Sequence, residues 1–465
     1  MSRALLAALL GFAAAACASN HSVGPPPPDT TGQGAFLDTL EQRTFGYFWD
    51  KTNTANGLTP DRWPTPSFSS IAAVGFALTA YPIGVERGYV PRADAAARVL
   101  TTLRFFWTAR QDSNTTGSTG YHGFFYHFLD MTSGARFQTV ELSTIDTALL
   151  LAGVLTCQSY FDNAADPGET EIRALAESIY TRTDWQWAAS SHPPAIALGW
   201  HPENQFIPYD WKGYNEAMII YILALGSPTH PADTAAWTAW TSTYTWGTFE
   251  GQSHLGFAPL FGHQYSHVWI DFRGIQDPFM RARGINYFEN SRRAAYAQRA
   301  YAIANPGGWK SYGVNVWGLT ASDGPADVAP YHTYFARGAS FTEIQDDGTI
   351  APTAAAGSIA FAPEIAIPAL RAMRSAYGSN LFATYGFLDA FNPTFTGTPA
   401  MGHVVPGLGW FDTDYLGIDQ GPTLAMVENY RSDLIWRLLR GNPHIVLGLC
   451  RAGFTGGWLA GKCPP

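Results

Sequence analysis

Two short stretches of this chain carry carboxyl groups in positions that suit general acid and base chemistry. Glu141 and Asp146 lie in Glu141-Leu-Ser-Thr-Ile-Asp146, where a loop enters an apolar helical segment, and Glu216 opens a second apolar segment beneath an aromatic loop. A carboxyl group that loses hydration in such surroundings has a raised pKa, which a general acid needs near neutral pH. We therefore predict that Glu216 is the general acid and that Asp146, with Glu141, positions or activates water.

Each of these acids also has a structural interpretation that the sequence leaves open. The run Ser143-Thr-Ile-Asp146 has the pattern of a capping box, and a carboxylate in a first helical turn is favoured by the helix dipole. Capping would explain Asp146 but not Glu141, and a capping role does not exclude a catalytic one. Glu216 could likewise be an acid of a first helical turn, although its aromatic surroundings favour catalysis.

Aromatic residues are abundant, with 16 Trp, 22 Tyr and 29 Phe, and many lie beside acidic, amide and guanidinium groups. Aromatic faces with hydrogen-bonding groups at their rims suit sugar rings, whose faces are apolar and whose edges are polar. The alternative is a large core that happens to be rich in aromatic residues. The residues that we predict to contact sugar are Tyr209, Asp210, Trp211, His263, Tyr265, Arg273 and Asp323.

A metal site is the competing interpretation of one of these windows. His263, His267 and Asp271 are spaced i, i+4 and i+8, which could place three ligands on one helical face. The window lacks the glutamate of a metallopeptidase helix, and its aromatic context favours hydrogen bonds to sugar, so we expect no metal and no cofactor. The chain also has no Gly-x-Ser-x-Gly elbow, phosphate loop or dinucleotide fingerprint, which leaves acid and base catalysis by carboxylates.

The composition indicates a globular, acidic protein, and the first residues of the chain predict that it leaves the cytoplasm. The formal charge is −9 without basic runs, which argues against a nucleic-acid partner, and we expect a monomer. Residues 1–16 have a basic start and a short apolar run, typical of a signal peptide, and Ala14-Ala-Ala-Cys17 resembles a lipobox. We predict lipidation at Cys17, a Pro/Gly-rich tether at 17–34 and a location in the bacterial cell envelope; simple secretory cleavage near Ala18 is the alternative.

The remaining cysteines fit an oxidising compartment. Cys450 and Cys463 lie close together in a Gly-rich tail, and we predict that they form a disulfide. Cys157 lies in an apolar helical run, which favours a buried free thiol.

Helical periodicity dominates residues 35–465, which we interpret as one catalytic domain of about twelve helices. Some segments are apolar all round, as buried helices are, and others are amphipathic. This alternation predicts an all-α fold, an (α/α)6 barrel with an inner and an outer helical ring and long functional loops at one end. The predicted helices are 36–51, 68–87, 93–109, 143–161, 169–181, 214–225, 235–243, 265–271, 285–303, 359–377, 381–391 and 422–440.

Several motifs together resemble one known family. They are Gly213-Tyr-Asn-Glu-Ala-Met, His263-Gln-Tyr-Ser-His-Val-Trp-Ile-Asp-Phe-Arg-Gly, Asn290-Ser-Arg-Arg, Trp317-Gly-Leu-Thr-Ala-Ser-Asp-Gly-Pro, Ala351-Pro-Thr-Ala-Ala, Gly417-Ile-Asp-Gln-Gly-Pro and Glu428-Asn-Tyr-Arg. These motifs are similar to those of the glycoamylase-like family, glycoside hydrolase family 144. The resemblance covers nearly all of the chain after the tether.

The resemblance implies an (α/α)6 barrel that hydrolyses β-1,2-glucans with inversion, either internally or by releasing sophorose. The acidic cleft residues of that family correspond here to Glu141, Asp146 and Glu216. Two other functions stay open from the residues themselves. One is a polysaccharide lyase or sugar epimerase on the same barrel, and the other is a glycan-binding lipoprotein without catalysis.

Overall fold

A computed structural model describes residues 32–463 of the chain. The predicted signal peptide, Cys17 and nearly all of the predicted tether lie outside the described residues. The first helix begins at Gln33, two residues before the predicted domain boundary. No helix among residues 32–463 is both long enough and apolar enough to cross a lipid bilayer.

Helices form most of the regular structure. In chain order they are α1 (Gln33–Lys51), α2 (Ile71–Glu86), α3 (Arg92–Thr108), α4 (Thr144–Tyr160), α5 (Pro167–Thr181), α6 (Trp185–Ala188), α7 (Met218–Gly226), α8 (Ala235–Thr241), α9 (Tyr265–Trp269), α10 (Pro278–Arg281), α11 (Tyr287–Ala304), α12 (Pro352–Ala356), α13 (Pro363–Tyr377), α14 (Gly417–Ser432), α15 (Leu434–Leu439) and α16 (Pro443–Arg451).

Short strands connect many of these helices, so the expectation of an all-α fold is incomplete. In chain order they are β1 (Arg62–Trp63), β2 (Ser69–Ser70), β3 (Gly120–Tyr121), β4 (Phe124–Tyr126), β5 (Phe128–Leu129), β6 (Leu142–Ser143), β7 (Gly199–His201), β8 (Gln205–Phe206), β9 (Trp246–Phe249), β10 (Gln252–Leu255), β11 (Ala321–Ser322), β12 (Phe335–Ala336), β13 (Gly338–Ala339), β14 (Ile344–Gln345), β15 (Phe382–Ala383), β16 (Gly386–Phe387), β17 (Phe391–Asn392), β18 (His403–Val405), β19 (Gly409–Phe411) and β20 (Tyr415–Leu416). The largest sheet is antiparallel, with the order β3-β4-β6-β7-β8.

The most deeply buried helices pack against one another in a closed sequence. Helix α2 packs on α4, α4 on α7 and α7 on α9, while α14 packs on both α9 and α2 and is also joined by α12. Helices α2, α4 and α7 are buried on nearly every side, because their sequences are apolar all round. Each of five buried helices is covered from outside by another helix. The pairs are α2 with α3, α4 with α5, α7 with α16, α12 with α13 and α14 with α1.

Two glycines allow α2 and α4 to approach closely. A Cβ atom added at Gly75 would lie 2.3 Å from the carbonyl oxygen of Leu149, and one added at Gly153 would lie 2.1 Å from the carbonyl oxygen of Gly75. Both distances are too short for any side chain larger than hydrogen. The contact therefore depends on glycine at both positions, and it fixes how the two helix starts face each other.

Two of the predicted helices differ from the structure. The segment 381–391 forms β15, β16 and the start of β17 instead of a helix, and it packs against α1. The segment 422–440 begins earlier, at Gly417, and is divided at Asp433, whose φ of 59° is left-handed and cannot continue an α-helix. The predicted tail disulfide is present, with 5.4 Å between the Cα atoms of Cys450 and Cys463, and Cys157 is a buried free thiol.

Candidate active site

The large sheet brings His127 beside Glu141. Strands β4 and β6 are paired so that Tyr126 lies opposite Leu142, and the next pair outward is His127 and Glu141. The backbone N–H of His127 donates to the carbonyl oxygen of Glu141 at 2.9 Å, and its Nδ1 lies 2.8 Å from Glu141 Oε1. Strand pairing therefore sets the position of both side chains.

Ser143 caps helix α4 and orients Asp146. Its Oγ accepts a hydrogen bond from the backbone N–H of Asp146 at 3.2 Å and donates one to Asp146 Oδ2 at 2.5 Å. The capping interaction predicted from the sequence is thus formed, and it holds the buried carboxylate of Asp146 in the first turn of α4. Asp146 Oδ2 also lies 3.5 Å from His127 Nε2, so capping and a place in the site coexist.

His127 connects the two acids electrostatically. Burial alone would lower the pKa of its imidazole, but the charge of Asp146 and the hydrogen bond and charge of Glu141 raise that pKa to about 9. The imidazole is therefore protonated at neutral pH. Burial raises the pKa of Glu141, yet the contact with His127 outweighs it and lowers the pKa overall. The pKa of Asp146 remains raised because burial dominates over the charge of His127.

Glu216 lies just before α7, which begins at Met218. Burial of its carboxyl group, with a further contribution from the charge of Asp146, raises its pKa to about 7. The Glu216 carbonyl oxygen accepts a hydrogen bond from Ser266 Oγ at 2.8 Å, which ties this turn to α9, and Glu216 Oε2 is buried without a hydrogen-bond partner. Glu216 can therefore carry a proton near neutral pH.

A second set of carboxyl groups includes Asp419, in the first turn of α14, and Asp389, between β16 and β17. Burial raises the pKa of both groups, and each also affects the other. Tyr265 connects the two sides: the pKa of its phenol is raised first by burial and then by the charges of Asp419, Glu216 and Asp146, among other groups.

Arg62 neutralises part of this second set. Its guanidinium lies 2.7 Å from Asp323 Oδ2, 3.2 Å from Asp61 Oδ2 and 3.8 Å from Asp414 Oδ2. The backbone N–H of Asp323 also donates to Asp389 at 2.7 Å. The wall formed by Asp61, Asp323, Asp389, Asp412, Asp414 and Asp419 is here called the aspartate wall.

Comparison with known proteins places this arrangement in a family. Residues 208–443 match the family model described as "Putative glucoamylase". A crystal structure from Bacteroides uniformis with the same description is 31% identical, has a TM-score of 0.79, and covers 92% of this chain and 99% of that chain. The chain belongs to the glycoamylase-like family.

Two further relatives have more specific names. The endo-β-1,2-glucanase of Chitinophaga pinensis, solved with sophorotriose and glucose, is 26% identical, has a TM-score of 0.79, and covers 92% of this chain and 100% of that chain. An exo β-1,2-glucooligosaccharide sophorohydrolase of Parabacteroides distasonis is 29% identical over 449 residues, which is 89% of this chain. The chain spans 57% of the length of that sophorohydrolase.

Two residues of this glycoamylase-like chain that we predict to contact sugar, His263 and Arg273, have partners within the protein. His263 is buried, with Nε2 3.1 Å from the Phe257 carbonyl oxygen and Nδ1 3.4 Å from Asn290 Nδ2, and burial lowers its pKa to about 3. Arg273 pairs with Asp271 and Asp433 beyond the far end of α14. Asp433 is about 21 Å from Asp419 along that helix, at 1.5 Å per residue.

The alternative metal site is not formed either. His267 Nε2 lies 3.1 Å from Ser291 Oγ, and Asp271 pairs with Arg273 and Arg440. Burial lowers the pKa of His267 well below its ordinary value. The three residues thus have separate partners, because the helical segment is short: α9 ends at Trp269, before Asp271.

The three residues of the predicted sugar-binding loop 209–211 differ in how deeply they are buried. Trp211 is half-buried, and its Nε1 donates to Thr144 Oγ1 at 2.9 Å, so it supports the start of α4. The Asp210 side chain is only 5% exposed and contacts His192 at 3.2 Å and Lys212 at 3.5 Å. Tyr209 is 68% exposed and is free to contact a large ligand.

Sequence reasoning missed His127, Asp419 and Tyr334. His127 follows a strand too short to recognise by alternation, although its position opposite Glu141 would have identified it once β4 and β6 were paired. Asp419 occurs within the quoted Gly417-Ile-Asp-Gln-Gly-Pro motif, in the first turn of a buried helix, which is the signal that identified Asp146. Tyr334 is 53% exposed as a whole residue. Burial of its phenol and then the charges of Asp419 and Asp389 raise the pKa of that phenol.

Proposed function

We propose that this protein is a glycoside hydrolase that cleaves β-1,2-glucan with inversion. Two observations support the proposal: the named relatives from Chitinophaga pinensis and Parabacteroides distasonis act on β-1,2-linked glucose, and a carboxyl group with a pKa of about 7 faces other acids. The relationship extends over the part of the chain that carries Glu141, Asp146 and Glu216.

Glu216 is the proposed general acid, and the observation that carries the proposal is its buried Oε2 atom, which has no hydrogen-bond partner. An inverting glycosidase needs a carboxylic acid that protonates the leaving oxygen and a carboxylate that activates water. Glu216 holds its proton near neutral pH because it is buried and because Asp146 is negatively charged. Its unpartnered Oε2 is available to a glycosidic oxygen.

Asp146 is the proposed base, with Glu141 and His127 as its support. The protonated imidazole of His127 lies 3.5 Å from Asp146 and favours its ionised form, which a base requires. Asp419 is a second candidate for this role, because its Oδ2 is buried without a hydrogen-bond partner and its charge, like that of Asp146, affects Tyr265. Replacing each aspartate by asparagine separates the two assignments, since only the true base is needed for turnover.

The helix arrangement supports an (α/α)6 barrel as the detailed architecture. Helices α2, α4, α7, α9, α12 and α14 would form the inner ring, with site residues at the starts of α4, α7, α9 and α14. Since helix starts favour negative charge, this end of the barrel suits ionised carboxylates. We also propose that Cys17 anchors the domain in the cell envelope, on the basis of the lipobox-like run and the proline-rich tether.

The proposal is tested by incubating the purified protein with glucans of defined linkage and separating the products. We expect new reducing ends from β-1,2-glucan alone, and initial products of the α configuration at the anomeric carbon by NMR. Ultraviolet-absorbing unsaturated products would indicate a lyase instead. Binding of β-1,2-glucan without new reducing ends would indicate a glycan-binding protein, and either outcome would overturn the proposal.

A further inference from the structure

We propose that Asp323, Asp412 and Asp414 bind a calcium ion within the aspartate wall. One carboxylate oxygen from each of the three residues lies within 4.8 Å of the other two, and all three side chains are buried. They come from two separate loops, one before β12 and one between β19 and β20. The site does not depend on the proposed cleavage of glucan.

The ligand atoms of the three residues suit calcium. Calcium binds oxygen at 2.3–2.6 Å, so any two of its ligands are at most about 5 Å apart, and the three carboxylate oxygens lie within 4.8 Å of one another. Carboxylate oxygens are the hard ligands that this ion prefers, and its coordination geometry is flexible enough to accept loop residues and water. Magnesium would require nearly ideal octahedral geometry at shorter distances, which two loops supply less readily.

The hydrogen bonds of Asp412 leave one oxygen for such a ligand. Its Oδ1 accepts from the backbone N–H groups of Thr413 and Asp414, at 2.6 and 3.2 Å. Its Oδ2 has no hydrogen-bond partner although the residue is 0% exposed. A carboxyl oxygen that is buried without a partner is unfavourable, and a bound cation would supply that partner.

The charges around the three residues are unbalanced. Arg62 contacts Asp323 and Asp414, and it also contacts Asp61 outside the trio. No Lys, Arg or His within residues 32–463 forms an ion pair with Asp412. The nearest charges that act on Asp412 are those of Asp323, Asp389 and Asp414, all of the same sign. A divalent cation would offset two of these negative charges.

A cation at this position would join structural elements that frame the cleft. Asp414 Oδ1 accepts from the backbone N–H of Thr65 at 3.0 Å, and the backbone N–H of Asp389 donates to the Asp414 carbonyl oxygen at 2.9 Å. The backbone N–H of Asp323 donates to Asp389 Oδ2. The ion would therefore fix the loop segments that carry Thr65, Asp323 and Asp389, and through Asp389 the position of Asp419.

The test compares thermal unfolding of the wild type, Asp412→Asn and a control, Asp346→Asn, after removal of metals with a chelator. Asp346 is a partly buried aspartate that accepts from Tyr301 and Tyr312, away from the trio. Addition of calcium chloride should raise the unfolding midpoint of the wild type and the control by about 2–4 °C at saturating concentration. The midpoint of Asp412→Asn should not change, and sodium chloride at equal ionic strength should have no comparable effect.

Terbium luminescence gives a second readout that needs no variant. Trp410 lies two residues before Asp412 and can transfer excitation to a bound lanthanide. We expect a terbium signal in the wild type that calcium displaces. Absence of both the calcium shift and the displaceable signal in the wild type would overturn the proposal, and so would an equal calcium shift in Asp412→Asn. Neither readout involves cleavage of sugar, so failure of this proposal is distinguishable from failure of the proposed function.

Discussion

At the scale of single residues, one protonated histidine, His127, lies close to two acids of the candidate site. His127 contacts Glu141 at 2.8 Å and lies 3.5 Å from Asp146, so a single positive charge faces two carboxylates. Asp146 in turn raises the pKa of Glu216. Glu141 therefore affects the proposed general acid, Glu216, indirectly, through the charges of His127 and Asp146.

Because the pKa of His127 is raised from 6.5 to about 9, its protonation stabilises the folded state in a defined pH range. That contribution is complete below the unfolded pKa of 6.5 and is lost as the pH rises through about 9. We expect the free energy of unfolding of the wild type to fall by roughly 1–3 kcal/mol between these limits, relative to His127→Gln. Urea unfolding at several pH values measures the difference.

A surface histidine provides the control. His230, whose side chain is 44% exposed, lies 4.0 Å from Asp184, and His230→Gln should show the same pH dependence as the wild type. A His127→Gln variant whose stability declines with pH as steeply as that of the wild type would contradict the assignment of the positive charge to His127.

The sequence identified some of these residues and missed others for a physical reason. Glu216 and Asp146 were recognisable because an acid at the start of an apolar helix is conspicuous in a linear pattern. The position of His127 depends on which short strands pair, and spacing along the chain does not reveal that the His263 imidazole contacts Phe257 and Asn290. Asp419 lies in a first helical turn only because α14 begins at Gly417, which is earlier than the periodicity predicts.

At the scale of elements, the site depends on how the buried helices start and how closely they pack. Asp146 and Asp419 lie in the first turns of α4 and α14, and Glu216 directly precedes α7. The existence of these helices follows from apolar segments that are long and continuous. Their ends were harder to predict, since the left-handed residue Asp433 divides a run that is helical in composition, and the apolar segment 381–391 pairs as short strands.

The close approach of α2 and α4 gives a prediction about packing. In Gly75→Ala the added Cβ would lie 2.3 Å from the Leu149 carbonyl oxygen, so the helices must separate. We expect a loss of roughly 1–3 kcal/mol in the free energy of unfolding, measured with denaturant. In the control Gly441→Ala, the new Cβ would meet the Leu438 carbonyl oxygen at an ordinary 3.4 Å, and little should change. Equal stability of the two variants would contradict the packing argument.

At the scale of the whole molecule, a helical domain with clustered acidic residues follows a segment that we predict to be an export signal. The inner and outer character of the helices was readable from the sequence, because burial on all sides requires apolar residues on all sides. The short strands were not readable, since each spans two to four residues and owes its pairing to the helices that hold it. The tail disulfide fits the oxidising compartment that export implies.

The proposed anchor is tested by cell fractionation. Replacing Cys17 by serine removes the thioether that would carry the lipid, so Cys17→Ser should move the protein from the membrane fraction to the soluble fraction. Cys157→Ala removes a buried thiol that is distant in sequence from Cys17, and it should leave the protein in the membrane fraction. A wild type that is already soluble outside the cytoplasm would contradict the lipid anchor.

The central claim is that Glu216 donates the proton to the leaving group, and its most direct test compares two substrates. Glu216→Gln should lower turnover of β-1,2-glucan by roughly two to four orders of magnitude. The same variant should hydrolyse the β-fluoride of sophorose with a much smaller loss, because fluoride departs without protonation. Glu171→Gln, an exposed change on α5, is the matched control and should retain full activity on both substrates. Near-normal turnover of β-1,2-glucan by Glu216→Gln, or an equal loss on both substrates, would contradict the account.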